Sequence, residues 1–214
     1  MTAQLSPGII AAAMDAATIP MPDALPRDGD VVIYDLEYTA WPGSRERGWS
    51  GPDEHREVIQ IGAVRLAAAD LSERASFERL VRPVVNPRLS AYIVDLTDID
   101  DAAVAARGVA YAEALAAFAD FVAGCSLVGS FGDDAHVLRE TGRLNGLADD
   151  ALPAGLSDIR PLVERRLPAA PDTLSSSELP AQLGVANPGQ PHDALADARA
   201  VALALRELRR QGRV

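Results

Sequence analysis

The stretch V-V-I-Y-D-L-E-Y at residues 31–38 decides how this chain is read. Its β-branched and aromatic residues mark a strand. Val31, Val32, Ile33 and Leu36 are apolar on both sides of the chain, so the strand is expected to be buried on both faces. Asp35 and Glu37 break that pattern. Two apart in a strand, they point to the same face. Two ionised carboxylates side by side in a buried strand are penalised by desolvation and by mutual repulsion. A divalent cation removes both penalties. The plainer alternative is an acidic solvent face near the end of an edge strand.

Outward from this strand, V-I-Q-I-G-A-V-R-L (Val58 to Leu66) reads as a second strand and Ala75 to Val81 as a third, closed by Pro83. A loop rich in Gly, Pro and Ser lies between the first two, from about Trp41 to Glu57, long enough to point to a functional role. Pro87 opens a loop toward Tyr92 and Ile99. Tyr111 to Ala123 carries Leu115, Phe118, Phe121 and Val122 at helical spacing. Ser126 to Phe131 reads as a fourth strand, and Asp134 to Leu144 as a helix stopped near Asn145-Gly146. Short helices are expected at Ser157 to Leu167 and Glu178 to Leu183, and the longest helix at Asp193 to Arg210. Residues 1–29, with Pro20, Pro22 and Pro26, read as an extension ahead of one domain at 30–211. Strands first, then helices alternating with one or two more strands, predict an α/β fold with a mixed sheet flanked by helices.

Further carboxylates fall on inward faces. In the last helix Asp197, Val201, Ala204, Leu205 and Leu208 form one stripe, which places the Asp among apolar neighbours. Its alternative role is a first-turn partner of the helix dipole, but Asp193 is better placed as the N-cap. From Asp134 the positions three, four and seven residues on are Val137, Leu138 and Thr141, a mostly apolar face. From Asp133 they are His136, Val137 and Glu140, so Asp134 is expected to point inward and Asp133 to cap the helix or face water. His192 stands just ahead of the last helix, where an exposed imidazole suits proton transfer to or from a bound water. A surface histidine without a task is the alternative there, and the default for His55 and His136.

Composition removes other classes. At 48% hydrophobic and 24% charged, the chain is neither disordered nor fibrous. No apolar run approaches the roughly 18–20 residues that span a bilayer, so no membrane partner is expected. Ile9 to Ala17 is apolar, but Asp15 interrupts it and no basic residue precedes it, unlike a secretory leader. With the single Cys125, this points to a reducing cytoplasm. One cysteine and three scattered histidines do not build a zinc site. No Ser-His-Asp order or G-x-S-x-G elbow is present. All 20 basic residues are arginine, which excludes Schiff-base chemistry and a P-loop. The net charge of -11 argues against coating nucleic acid by bulk charge.

D-L-E at 35–37, an Asp opening a helix at 134, and H-D-A-L-A-D at 192–197 together resemble the DEDDh exonucleases, the superfamily of ribonuclease T. E-V-I-Q-I-G-A-V (57–64), F-E-R-L-V-R-P (77–83) and F-G-D-D-x-x-x-L (131–138) are similar to further segments of that family. The resemblance covers about residues 30–211. It implies a ribonuclease H-like fold, with a five-stranded mixed sheet and helices on both sides. It implies that Asp35, Glu37, Asp134 and Asp197 hold two divalent cations, Mg²⁺ or Mn²⁺, which clamp the attacking water and the leaving 3′ oxygen. His192 would be the general base, in place of the tyrosine that another branch carries where this chain has Asp193. The implied partners are single-stranded RNA or DNA 3′ ends, cut to nucleoside 5′-monophosphates, and relatives are often homodimers.

The chain departs from the pattern at Tyr38, at Phe131 and in its long 41–57 loop. Thr39 is expected to help hold the terminal nucleotide. Trp41, Trp49, Arg45 and Arg47 are placed to stack on bases and contact phosphate near the site; the alternative is that the tryptophans merely pin the loop to the body. A rival reading is a nucleic-acid-end binding or scaffold protein with a vestigial site. All five key residues are present, and burying four unused carboxylates would be destabilising, which favours an enzyme. Very short oligonucleotides or other phosphodiesters remain alternative substrates. Two divalent ions would bring -11 to -7, leaving weak, end-dependent binding through a few arginines.

Overall fold

A computed structural model describes residues 24–168, 173–187 and 189–214; the expected extension therefore lies outside the described residues as far as residue 23. Five strands, β1 (Asp30–Tyr38), β2 (Val58–Ala67), β3 (Glu73–Leu80), β4 (Leu127–Ser130) and β5 (Leu156–Asp158), form one sheet in the order β3-β2-β1-β4-β5. β1 pairs antiparallel with β2 and parallel with β4, so the strand carrying Asp35 and Glu37 is the central one. The helices are α1 (Ala91–Thr97), α2 (Asp101–Arg107), α3 (Tyr111–Val122), α4 (Asp134–Leu144), α5 (Arg160–Glu164), α6 (Leu179–Gln182) and α7 (Ala194–Arg210).

The sheet divides the core by residue parity. Val31 and Ile33 of β1, with Val64 and Leu66 of β2, pack against Ala198, Val201, Leu205 and Leu208 of α7. Val32, Tyr34 and Leu36 pack on the opposite side with Leu115 and Phe118 of α3 and Leu138 of α4. Side chains alternate along a strand, so Asp35 and Glu37 continue the row of Val31 and Ile33 on the α7 side. They stand where that apolar row ends. Leu25, within the expected extension, is buried in the same α7-side cluster.

Most expected elements form close to their expected bounds, and α4 begins at Asp134 and ends at Leu144 as the periodicity predicts. Two regions differ. Ser157 to Leu167 is not one helix: Leu156 and Ser157 pair with Val128 and Gly129 as β5, and α5 starts only at Arg160. Pro161 sits in the first turn of α5, where its missing N–H leaves no bond unmade. The loop expected from Pro87 toward Tyr92 and Ile99 contains α1, and α2 follows it, each seven residues long. Elements that short hold too few apolar positions to show a period. Their side-chain caps hold them instead: Ser90 Oγ accepts the Ile93 N–H at 3.2 Å and Asp100 Oδ1 the Ala103 N–H at 2.7 Å.

One glycine sets the position of α7. Gly62 lies opposite Asp35 in the β1–β2 register. A Cβ built on it would stand 2.1 Å from the Leu195 nitrogen and 2.3 Å from the Ala194 carbonyl carbon. Only a bare backbone lets the first residues of α7 sit this close to the sheet. Gly62→Ala should lower stability by at least about 2 kcal/mol through overpacking against backbone, read as a shift in the urea midpoint. An unchanged midpoint would show that α7 is not seated on β2 in this way.

Candidate active site

Three chain segments meet at the end of β1. β1 itself brings Asp35 and Glu37, the turn after β4 leads into Asp134, and the start of α7 brings Asp197 with His192 just ahead of it. Two devices hold the α7 end in place. Asp193 is its N-cap, with Oδ1 accepting the Ala196 N–H at 2.8 Å. Gln60, opposite Glu37 in β2, accepts the Ala194 N–H at 2.9 Å through Oε1. Its Nε2 donates to Glu78 Oε1 at 3.1 Å and to Asp193 Oδ2 at 3.4 Å. The sequence reading assigned Gln60 no role. Its visible signal was a long polar side chain inside an otherwise apolar strand.

The loop ahead of α7 is tethered as well. Asn187 Nδ2 donates to the Ser177 carbonyl at 3.0 Å, and Gln190 Nε2 to Asp98 Oδ2 at 2.7 Å. His192 has φ +62, a left-handed conformation uncommon outside glycine. In that conformation its N–H donates to Asp197 Oδ2 at 3.1 Å.

Ligand atoms of Glu37, His192 and Asp197 all lie within 4.8 Å of one another. Asp35 and Asp134 stand outside that group but act on it through their charge. Burial pushes the Asp35 carboxyl well above the usual carboxylate range, and the charges of Asp134, Glu37 and Asp197 add to the effect. Burial, then Asp197 and Asp134, raise Glu37 to about 8. Asp134 is raised to about 7 by burial and by Asp158 and Asp133, with Arg160 opposing. Asp197 is raised by burial, in part offset by the His192 N–H. Asp133 is exposed and makes no side-chain cap bond, so of its two expected positions it takes the one facing water.

Asp197 Oδ1 is buried and has no hydrogen-bond partner among the described residues. A buried carboxylate oxygen left unpaired is costly, and a cation would satisfy it. A donor set of carboxylates with one imidazole suits a hard, oxygen-preferring ion such as Mg²⁺ or Mn²⁺. The residues present fit a divalent cation.

The surroundings settle smaller points. Thr39 is buried, and its hydroxyl donates to the His55 carbonyl at 2.5 Å and accepts the Glu57 N–H at 2.9 Å. These two bonds close the 41–57 loop. Trp49 pins that loop: its Nε1 donates to the Thr39 carbonyl at 3.1 Å, its ring lies 5.6 Å from that of Tyr38, and Arg56 stacks over it at 5.2 Å. Arg47 pairs with Glu54 and donates to the Pro42 carbonyl at 2.8 Å, all within the loop. Asp158, which the expected helix at 157–167 concealed, accepts the Gly132 N–H at 3.1 Å and the Arg160 N–H at 2.8 Å. It shapes the turn that delivers Asp134.

A family model described as exonuclease, RNase T, matches residues 32–205. The chain belongs to the RNase T exonuclease family. Its fold is the ribonuclease H-like fold of DEDDh exonucleases, as the motifs implied. The nuclease domain of 3′hExo, a DEDDh family member solved bound to rAMP, superposes with a TM-score of 0.74 at 21% identity, over 88% of this chain and 96% of that one. A 3′-exonuclease solved in 3′-end specific recognition of the histone mRNA stem-loop gives 0.73 at 20% identity, over 87% and 84%. E. coli exonuclease I in complex with a dA16 oligonucleotide gives 0.62 at 16%, over 86% of this chain and 41% of that one. No curated protein sequence matches the chain.

The raised carboxyls set a pH dependence in the metal-free protein. Glu37 and Asp134 have folded values of about 8 and about 7, above their ordinary 4.5 and 3.8. Between those limits the folded state holds more protons than the unfolded one, so stability falls as pH rises. In EDTA the melting temperature should drop between about pH 5 and 8, by about 2–4 °C for each kcal/mol lost. Mg²⁺ or Mn²⁺ should restore it, most strongly at pH 8, and Glu37→Gln should flatten the slope. A melting temperature level across that range, with no response to metal, would contradict this picture.

Proposed function

We propose that this chain is a divalent-metal-dependent 3′–5′ exonuclease acting on single-stranded RNA or DNA ends and releasing nucleoside 5′-monophosphates. The observation that carries the reading is the convergence of Glu37, His192 and Asp197 within 4.8 Å, inside the charge of Asp35 and Asp134. Asp35, Glu37, Asp134 and Asp197 would hold the cations. The chemistry a divalent pair supplies there is Lewis-acid activation of water and neutralisation of charge on the leaving oxygen.

The chain's own residues do the rest. His192 would take the proton from the attacking water: its left-handed backbone aims the N–H at Asp197, and its imidazole stands within 4.8 Å of ligand oxygens of Glu37 and Asp197. Gln60 and Asp193 hold the start of α7, so that Asp197 keeps its place opposite Glu37. Asp158 and Arg160 fix the turn that carries Asp134.

End-labelled RNA and DNA of matched sequence, incubated with Mg²⁺ and with Mn²⁺, tests activity, polarity and sugar preference together. Asp35→Ala and Asp197→Ala should each reduce kcat by at least about 10²–10³, or about 2.7–4 kcal/mol. His192→Ala should reduce it by about 10²–10⁴ and remove one limb of the pH–rate profile. Full activity of Asp35→Ala in EDTA would sink the proposal. Capture of labelled 3′ ends without mononucleotide release in either metal would identify an end-binding protein instead.

A further inference from the structure

The outer side of α7 borders two cavities. One, of about 390 Å³, starts at Asn187 and Gly189, just ahead of His192, and passes Ala196 and Arg199. The other, of about 360 Å³, lies at the far end of the helix against Arg27, Arg209 and Arg210. Leu203 and Arg206 line both. The two therefore form one groove from the His192 loop to the C-terminal end of α7.

The far end of this groove is positive in a chain of net charge -11. Elsewhere Arg47, Arg56, Arg74, Arg143 and Arg199 each face a carboxylate. Here Arg206 and Arg209 have carbonyl partners, while Arg210 pairs with the Glu207 carboxylate. Arg206 donates to the Leu71 carbonyl at 3.2 and 2.8 Å, Arg209 to Ala68 and, at 3.1 Å, to Pro26, and Arg27 to Val214 at 3.5 Å. A carbonyl orients a guanidinium but leaves its formal charge in place. Burial and the charge of Arg27 both push Arg209 below the usual arginine range, as expected where like charges are crowded. The carboxylates at hand are engaged: Asp70 Oδ1 accepts from Ser72 at 2.9 and 2.7 Å, and Glu207 pairs with Arg210. Among the described residues no aromatic side chain lines either cavity, so the groove suits a sugar-phosphate backbone over stacked bases.

We propose that this groove carries the single-stranded backbone upstream of the 3′ end, with Arg27 and Arg206 meeting its phosphates. The inference rests on the exonuclease reading of the site. Twelve residues of helix separate Asp197 from Arg209, or about 18 Å at 1.5 Å per residue. That distance equals about five nucleotides of stacked strand at 3.4 Å each. A trinucleotide bound at the carboxylates is too short to reach the cluster.

The test uses the Arg27→Ser/Arg206→Ser double variant, and Leu203→Glu, which sets a negative charge midway along the groove and removes no hydrogen bond. Affinity for a labelled single strand of about twelve nucleotides, measured in EDTA across a salt series, should fall at least about fivefold in both. In the double variant the salt slope should become shallower by about 1.4, the value for two lost phosphate contacts on a single strand. With metal present, the ratio of kcat/KM on that strand to kcat/KM on a trinucleotide should fall by a similar factor. If the double variant melts early, Leu203→Glu decides. Unchanged affinity and slope in both variants would overturn the groove, while hydrolysis by the wild type would leave the site's reading intact. Lost binding in the variants beside a wild type that releases no mononucleotide would keep the groove and overturn the exonuclease.

Discussion

The seating of α7 on the bare backbone of Gly62 is the contact on which the rest of the site depends. β1 can offer Asp35 and Glu37, but it cannot bring them a partner. Because Gly62 lacks a Cβ, the first turn of α7 rests directly on β2, opposite Asp35. The same turn carries Asp193, whose side chain caps it, and Asp197, whose Oδ1 is left without a partner. Gln60 completes the seat by accepting the first helical N–H. A side chain at position 62 would lift the helix end, and the distance between Glu37 and Asp197 would open with it.

That close approach is unfavourable for the protein alone. Burial raises all four carboxyls, repulsion from neighbouring carboxylates adds to it, and no arginine pairs with Glu37 or Asp197 among the described residues. Elsewhere the chain readily pairs its carboxylates, as at Glu140 with Arg56 and Glu73 with Arg199. Glu57, fully buried, is satisfied by the amides of Val84, Val85 and Asn86 at 2.6–2.9 Å. A fold able to neutralise a buried acid in these ways leaves the site unneutralised. Strain lies beside it too, in the left-handed backbone of His192. Unfavourable electrostatics and strained backbone at one point are the physical signature of a functional site.

Much of this was legible in the sequence, because burial leaves a periodic trace. The run at 31–38 placed the central strand, and period two placed both carboxylates on one side of it. The helical stripe through Val201, Leu205 and Leu208 placed Asp197 inward, and it is buried. The same comparison separated Asp134 from Asp133. What stayed hidden was held by single contacts without a period. β5 has three residues and is defined by its pairing with β4. α1 and α2 depend on their caps. Pro161 was the available clue that no helix runs from 157, since it suits only a first turn. Trp49 pins the 41–57 loop through contacts with Tyr38, Thr39 and Arg56 that no local pattern reveals.

The missing lysines acquire a meaning from this geometry. A lysine ammonium is a strongly hydrated point charge on a flexible stem, poorly held by one carbonyl. An arginine can give two N–H groups to a carbonyl and keep its charge, as Arg206 does at Leu71. For the proposed activity, an acidic protein needs positive charge in few and well-fixed places. Scattered lysines would be neutralised by the acidic surface or would attract polyanions without direction. Arginines tied to backbone carbonyls at the far end of α7 escape both outcomes, because each is oriented without being neutralised. The charge of -11 first seemed to speak against nucleic acid. Against that background the basic cluster at the far end of α7 and the carboxylates at its start are the two places where the proposed strand would be held.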